Sequence, residues 1–354
     1  MRQAPDGARK PPVTAPPLLL ATGAHGLVMA HVLRCWLEAN PEGRALALDL
    51  SPPDPVVAAF LAPLATRIAL QRGDVGDPAL WDRLDALPEA AEVTHMVHGA
   101  AVTSIKRLTR AGGEKPDMSG ALPALQANIM GTARALAWAG KRPRLQRFIT
   151  VSSGSVYAAE GPSPVPEDSA IALEGLYPMT KYTGELLTAQ ATHDFGLPAL
   201  TVRLSGVYGP LDRETGSRAV TPLLGVLLRR ALAGEELRIA GLDTLGDYIH
   251  AGDVGAAVTA LLACPAPSHQ VYNIAYGEAV SLHHLTRLVE GLVPGSRWRE
   301  VPAEEAELAL EAKPAGGRWG AYDISRIKAD TGWRPRPLAE ALADYRDWLR
   351  KEPY

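Results

Sequence analysis

Short apolar runs alternate along this chain with longer stretches in which apolar residues recur every three to four positions. Leu18-Leu19-Leu20-Ala21-Thr22 is the first compact run, and Leu27 to Ala39 follows it with helical spacing. The rhythm then repeats. Strands are predicted at Arg44 to Asp49, Thr66 to Gln71, Val93 to His98, Gln146 to Val151 and Ala199 to Leu204. Helices are predicted at Asp54 to Pro63, Pro78 to Leu87, Leu122 to Trp138 and Pro178 to His193. Such alternation builds an α/β fold, a doubly wound parallel sheet of the Rossmann type with helices on both faces. After Leu204 the pattern loosens through Tyr208-Gly209-Pro210 and the charged stretch Asp212 to Arg218, where a smaller C-terminal substrate lobe is expected. The division expected is a tail over 1–17, a large domain over 18–205 and 241–275, and a lobe over 206–240 and 276–354. Lys106 to Gly120, rich in Gly, Lys and Arg, breaks the helical pattern and reads as a surface insertion, either a lid or a plain solvated loop.

Composition narrows the setting. The chain has 354 residues, 47% of them hydrophobic, enough for one large domain and a smaller lobe. A net charge of −3 gives no basis for a nucleic-acid or membrane-surface partner. Residues 1–17 are rich in proline and basic side chains without a following apolar core, so a disordered tail is expected there and not a signal peptide. No segment approaches the length of a transmembrane helix. Cys35 and Cys264 lie far apart in apolar stretches and read as buried free thiols, which suits a reducing cytoplasm. His25, His95 and His98 lack ligand-like spacing, so no metal is expected. Glu304, Glu305, Glu307 and Glu311 read as a solvated helix face.

Candidate chemistry centres on Tyr177-Pro178-Met179-Thr180-Lys181, which puts a phenol and an ammonium on one helical face. Lowering a phenol pKa of ~10 by about 3 units takes roughly 4 kcal/mol of preferential phenolate stabilisation. One ammonium at ~5 Å, with an effective dielectric near ~20, supplies about 3 kcal/mol. A positively charged oxidised nicotinamide would supply the remainder, so the pair makes most sense beside such a cofactor. Upstream, Arg147-Phe148-Ile149-Thr150-Val151-Ser152-Ser153 reads as an apolar strand ending in hydroxyls, and ligands of open α/β sheets lie at such ends. Ser153 is thereby placed to orient the oxygen whose proton Tyr177 exchanges. Gly23 and Gly26 stand between the first strand and the helix that opens at Leu27, where backbone can approach a pyrophosphate. Met29 occupies the place of a third small residue and is expected to displace the helix slightly without abolishing binding. Asp49 ends the second strand, where a carboxylate suits the ribose hydroxyls of NAD and repels the extra phosphate of NADP.

The ordered set Thr22-Gly23-Ala24-His25-Gly26, Gly73-Asp74-Val75, His98-Gly99-Ala100-Ala101, Asn128 with Gly131-Thr132, Ser152-Ser153-Gly154-Ser155-Val156-Tyr157, Tyr177 with Lys181, Val207-Tyr208-Gly209-Pro210 and Asp247-Tyr248-Ile249-His250 resembles the extended short-chain dehydrogenase/reductases, the NAD-dependent epimerase/dehydratases. The likeness runs from Leu18 to Trp348. It implies that Asp74 and Val75 flank the adenine, and that Gly99 and Ala100 line the pyrophosphate and nicotinamide side. It implies further that Asn128 belongs to the cofactor site, that Lys181 also holds the nicotinamide ribose, and that Tyr177 is the acid/base with Ser153 as partner. Thr103, Ser205 and Tyr248 are expected on the substrate side. A homodimer through the helices near Leu122 to Trp138 and Pro178 to His193 is implied as well, although their apolar faces could equally be buried within one chain.

Departures from the family pattern narrow the chemistry. Sugar 4,6-dehydratases of this family carry an Asp-Glu pair directly after the serine or threonine, because elimination needs a second acid and base. Gly154 and Ser155 stand there instead. Nucleotide-sugar epimerases hold the diphosphate with an asparagine and an arginine at the places taken here by Gly206 and Gly246. Losing both removes charge-assisted hydrogen bonds worth about 1.5 to 3 kcal/mol each, so a smaller hydroxylated molecule is favoured. Arg213 and Arg218 are either a substitute clamp for a carboxylate or phosphate, or two solvated loop arginines. The expectation is an NAD-dependent oxidoreductase moving hydride between NAD and a hydroxyl-bearing carbon of a sugar, sugar acid or similar small polyol. Its alternatives are a nucleotide-sugar 4-epimerase and, from another class, a non-catalytic NAD-sensing binding module.

Overall fold

The computed structural model describes residues 16–103, 118–213, 223–310 and 316–351. Positions 1–15 of the expected tail, 106–117 of the expected insertion, Arg218 and Glu311 lie outside them. Strands are β1 (Leu18–Thr22), β2 (Arg44–Asp49), β3 (Ile68–Arg72), β4 (His95–His98), β5 (Arg147–Ser153), β6 (Ala199–Leu204), β7 (Gly206–Tyr208), β8 (Glu236–Ala240), β9 (Leu245–Gly246), β10 (Tyr248–His250), β11 (Val271–Ile274), β12 (Val280–Ser281), β13 (Arg297–Glu300) and β14 (Leu308–Ala309). Helices are α1 (Leu27–Ala39), α2 (Pro55–Leu61), α3 (Pro78–Asp85), α4 (Leu122–Leu125), α5 (Gly131–Ala139), α6 (Leu176–Phe195), α7 (Leu223–Ala233), α8 (Ala251–Ala263), α9 (Leu282–Leu292), α10 (Ser325–Thr331) and α11 (Leu338–Lys351).

Seven parallel strands form one sheet in the order β11-β6-β5-β4-β1-β2-β3. Side chains of a strand alternate between faces, and β1 uses both. Leu19 and Ala21 join Leu33, Leu37, Val254 and Val258 of α1 and α8 in one core. Leu18 and Leu20 join Leu80 and Leu84 of α3 and Ala135 of α5 in the other. Burial on both faces explains why these strands read as continuous apolar runs. A third core, formed among others by Leu224, Leu228, Leu285, Val289, Leu342 and Tyr345, joins α7, α9 and α11 to the small sheet β13-β8-β14.

Several boundaries differ from the sequence reading, each for a local reason. Asp54 accepts hydrogen bonds from Val56 N and Val57 N, so it caps α2 and does not belong to it. Thr66 and Arg67 belong to a 3₁₀ turn (Ala62–Arg67), and the Arg67 guanidinium collects the carbonyls of Leu37, Asn40, Pro41 and Gly43. A π turn at Gln126–Met130 interrupts the helical run between α4 and α5. Helix α6 begins at Leu176, so Tyr177 lies inside it. The acidic stretch near Glu304 is solvated but forms a turn leading into β14, not a helix. There the backbone N–H of Glu307 bonds to Arg238 of β8, and its carboxylate pairs with Arg230. Cys35 and Cys264 are free, the first half-buried and the second buried. Among the described residues, no helix is long and apolar enough to cross a membrane, and no group of His, Cys, Asp or Glu side chains could hold a metal ion.

Candidate active site

At the carboxyl end of β1 the backbone turns at Gly23 with φ +69, a left-handed conformation at which glycine is at ease. A Cβ there would lie 2.8 Å from Ala100 Cα and N, so the turn rests directly on the segment after β4. Gly26 precedes α1 without a side-chain cap, and the first turn of α1 holds no acid. Open backbone N–H groups at a helix N-terminus suit an anion such as a pyrophosphate. Met29, buried on α1, finds its room at Gly99, where a Cβ would lie 2.3 Å from Met29 Sδ. The small residue absent from α1 is thus supplied across the sheet.

Leu27 opens α1 and is buried. Asp49, half-buried at the end of β2, accepts from His25 N at 2.9 Å, which brings its carboxylate beside the glycine turn. Asp74 is exposed and accepts from Gly76 N at 2.8 Å, while Val75 is buried against Gly131. The uncapped helix, the glycine turn and the Asp49 carboxylate beside it are groups that fit a dinucleotide. Asn128 lies in the π turn and grips protein: its Oδ1 accepts from Val102 N at 2.7 Å, and its Nδ2 donates to Val102 O and Thr180 Oγ1, each at 3.0 Å.

Helix α6 is pinned on β5 by polar contacts between their facing sides. Thr150 and Thr188 hydroxyls meet at 2.7 Å, and Ser152 Oγ donates to Glu185 Oε1 at 2.5 Å. Glu185 is therefore level with the last turn of the strand. With a helical rise of ~1.5 Å per residue, Lys181 lies ~6 Å further along and Tyr177 another ~6 Å, which carries the phenol past the strand end where Ser153 sits. Ser153 Oγ accepts from Ser155 N at 3.2 Å. Tyr177 is half-buried and packs with Val102 and Leu176 against Ala121 and Ala124. Burial pulls the Lys181 ammonium down to about 8, against an opposing pull from Glu185. An ammonium this reluctant to stand alone favours a neighbouring negative charge, which a phenolate would provide.

Glu185 escaped the sequence reading, although its place one turn beyond Lys181 continues the Tyr177 face. Its carboxylate takes Arg203 Nε at 3.1 Å and Nη2 at 2.6 Å, with both side chains only 5% exposed. Burial works against the Arg203 charge, but Glu185 outweighs it and holds the guanidinium above its ordinary value. This ion pair joins α6 to β6, and the Ser152 bond to the same carboxylate adds β5.

Of the residues expected on the substrate side, Thr103 is exposed at the last described position before 104–117. Ser205 is half-buried beside Asp247. Burial pushes Asp247 up to about 6, although Tyr276 N, Gly277 N and Tyr322 N donate to it at 2.8, 2.9 and 3.2 Å. Arg213 of the expected anion clamp is paired with Asp54 at the start of α2. Tyr248 covers both glycines noted above: a Cβ at Gly246 would lie 2.6 Å from its Cζ, and one at Gly206 would lie 3.2 Å from its Cδ1. Gly154 is buried under Tyr322, whose hydroxyl would be 1.9 Å from a Cβ there. Replacing Gly154 by alanine is expected to destabilise the protein by about 1 to 3 kcal/mol through overpacking, read as a lower urea midpoint. An unchanged midpoint would show that Tyr322 yields freely.

The family model described as "NAD dependent epimerase/dehydratase family" matches residues 19–275. The chain belongs to that family. It is an NAD-dependent enzyme of the extended short-chain dehydrogenase/reductase class. The dTDP-glucose 4,6-dehydratase of Xanthomonas campestris pv. campestris (strain ATCC 33913) is 26% identical over 292 residues, 78% of this chain and 77% of its own length. Among solved structures, the UDP-N-acetylglucosamine 4-epimerase of Methanobrevibacter ruminantium M1, in complex with UDP-N-acetylmuramic acid, superposes with a TM-score of 0.76 at 18% identity, covering 96% of this chain and 99% of that one. The dTDP-glucose 4,6-dehydratase of Bacillus anthracis str. Ames, solved with NAD, gives 0.74 at 18% identity, covering 95% and 97%. These structural likenesses carry the fold.

Proposed function

We propose that the protein is an NAD-dependent dehydrogenase that oxidises a hydroxyl-bearing carbon of a sugar, sugar acid or similar small polyol. The observation that carries this reading is the alignment of Tyr177, Lys181 and Glu185 on one face of α6, pinned at the strand end that bears Ser153. Tyr177 as phenolate accepts the hydroxyl proton, Lys181 stabilises that phenolate, and Ser153 orients the oxygen. Gly23, Gly26 and Leu27 at the head of α1, with Gly99 and Ala100 facing them, would hold the pyrophosphate, and Asp49 the adenosine ribose. Asp74 and Val75 stand on the adenine side. NAD, when bound, supplies the hydride acceptor.

Although relatives include dehydratases, Tyr322 fills the space into which a side chain at 154 would project, which supports oxidation without elimination. The Tyr248 ring over Gly206 and Gly246 supports a substrate without a nucleotide diphosphate, because it takes the volume that two diphosphate-binding side chains would need. A screen of sugars, sugar acids and small hydroxy acids with NAD tests the reading. NADH should accumulate with at least one of them and not with Tyr177→Phe. Turnover to an epimer without NADH would make the protein a 4-epimerase instead, and an NADH-dependent partner response untouched by Tyr177→Phe would make it a sensor.

The assembly proposed is a homodimer, in a cytoplasmic setting that suits its two free thiols. Leu122, Met130, Met179 and Leu186 expose 59, 42, 44 and 55% of their surface on α4, the π turn and α6, an apolar cost that a second copy would remove. Sedimentation of Met179→Glu/Leu186→Glu should give a monomer where the native protein gives a dimer. Equal sedimentation of the two proteins would place the interface elsewhere.

A further inference from the structure

We propose that His98 is a positioning residue that ties the cofactor-side turn to the catalytic helix through one directed chain of hydrogen bonds; this rests on the hydride-transfer reading above. Each direction follows from a group that can only accept. Thr132 Oγ1 lies 2.7 Å from the Asn128 carbonyl oxygen, so its single proton is used there. The 3.1 Å contact between Thr132 Oγ1 and His98 Nε2 must then be donated by the imidazole. A neutral imidazole carries one N–H, so Nδ1 accepts, and the Thr22 hydroxyl donates to it over 2.8 Å. Thr22 Oγ1 in turn accepts the Ala100 N–H at 3.2 Å. Burial, and then the Lys181 charge, hold His98 down to about 3, which keeps the imidazole neutral.

The chain continues beyond Asn128. Its amide donates to Thr180 Oγ1, and the Thr180 hydroxyl donates to the Tyr177 carbonyl at 2.8 Å. At the other end, Thr22 immediately precedes Gly23, and Ala100 is the residue against which Gly23 has no room for a side chain. Thr22, His98, Thr132, Asn128 and Thr180 are all buried. A satisfied buried network of this kind rigidifies what it joins. Thr132 makes its bond as an i−4 contact back to the Asn128 carbonyl, which the π turn carries.

Two half-substitutions separate the ends. His98→Gln keeps a donor toward Thr132 and loses the acceptor toward Thr22; His98→Asn keeps the acceptor and loses the donor. The glutamine variant should weaken NAD binding about 5- to 10-fold with kcat held within about threefold, and the asparagine variant should reverse the pattern. Equal losses of both constants in both variants, tracking their Tm, would reduce His98 to a packing residue and overturn the proposal. Nitrogen NMR of the native protein with labelled histidine should show a neutral Nε2–H tautomer from about pH 5 to about pH 9. An Nδ1–H tautomer, or an imidazolium in that range, also overturns it. Tautomer and NAD affinity are read without turnover, so a protein that oxidises no hydroxyl would sink the hydride-transfer reading while leaving this chain intact.

Discussion

Replacing Tyr177 by phenylalanine will lower kcat by about 10²- to 10⁴-fold, the usual contribution of a positioned acid/base. The packing of the ring should survive. The ring packs with Val102 and Leu176 against Ala121 and Ala124, and phenylalanine keeps all of that surface. The bond from Thr180 goes to the Tyr177 carbonyl, which the substitution leaves in place. What disappears is one hydroxyl, the group proposed to take the substrate proton as hydride departs. Initial rates of NADH formation beside thermal melts check this. A variant that keeps its rate within about threefold would transfer the proton chemistry to another group.

Removal of the Glu185 carboxylate, in Glu185→Ala, is expected to cost about 3 to 5 kcal/mol of stability, the penalty for leaving a buried charge without its partner. Arg203 would keep its Tyr157 face at 4.8 Å and the Glu167 carbonyl at 2.8 Å, but neither neutralises a guanidinium 5% exposed. Ser152 would lose its acceptor, and the anchor between α6 and β5 would loosen. Activity should fall too, because Lys181 loses a carboxylate that raises it. Urea unfolding measures the first effect. The double variant Glu185→Leu/Arg203→Met should recover most of the stability, since apolar residues of similar size often replace a buried ion pair without loss. A midpoint as low as that of Glu185→Ala would assign the damage to lost packing.

Features that depend on one segment of chain were legible in the sequence. Strand β6 ends where its apolar run ends, the turn at Gly23 follows from its glycine pair, and Tyr177 with Lys181 is visible from helical spacing alone. Features created by contact between distant segments were not. Met29 read as a defect because its compensation, Gly99, comes from the segment after β4. Gly154 and Gly206 read as missing side chains, while Tyr322, which fills the first place, sits far off in sequence and Tyr248, beside the second, lies on the paired strand. His98 read as an ordinary strand-end residue, since its partners Thr22 and Thr132 are brought to it only by the sheet and α5. The Asp54 partner of Arg213 was likewise hidden, since it lies 159 residues away at the start of α2.

The most direct measurement uses the hydroxyl substrate yielded by the screen, deuterated at its carbinol carbon and incubated with NAD. Hydride transfer beside Tyr177 predicts deuterium on the nicotinamide ring of NADH that accumulates with product. Deuterium released to water, with no labelled NADH formed, would contradict it.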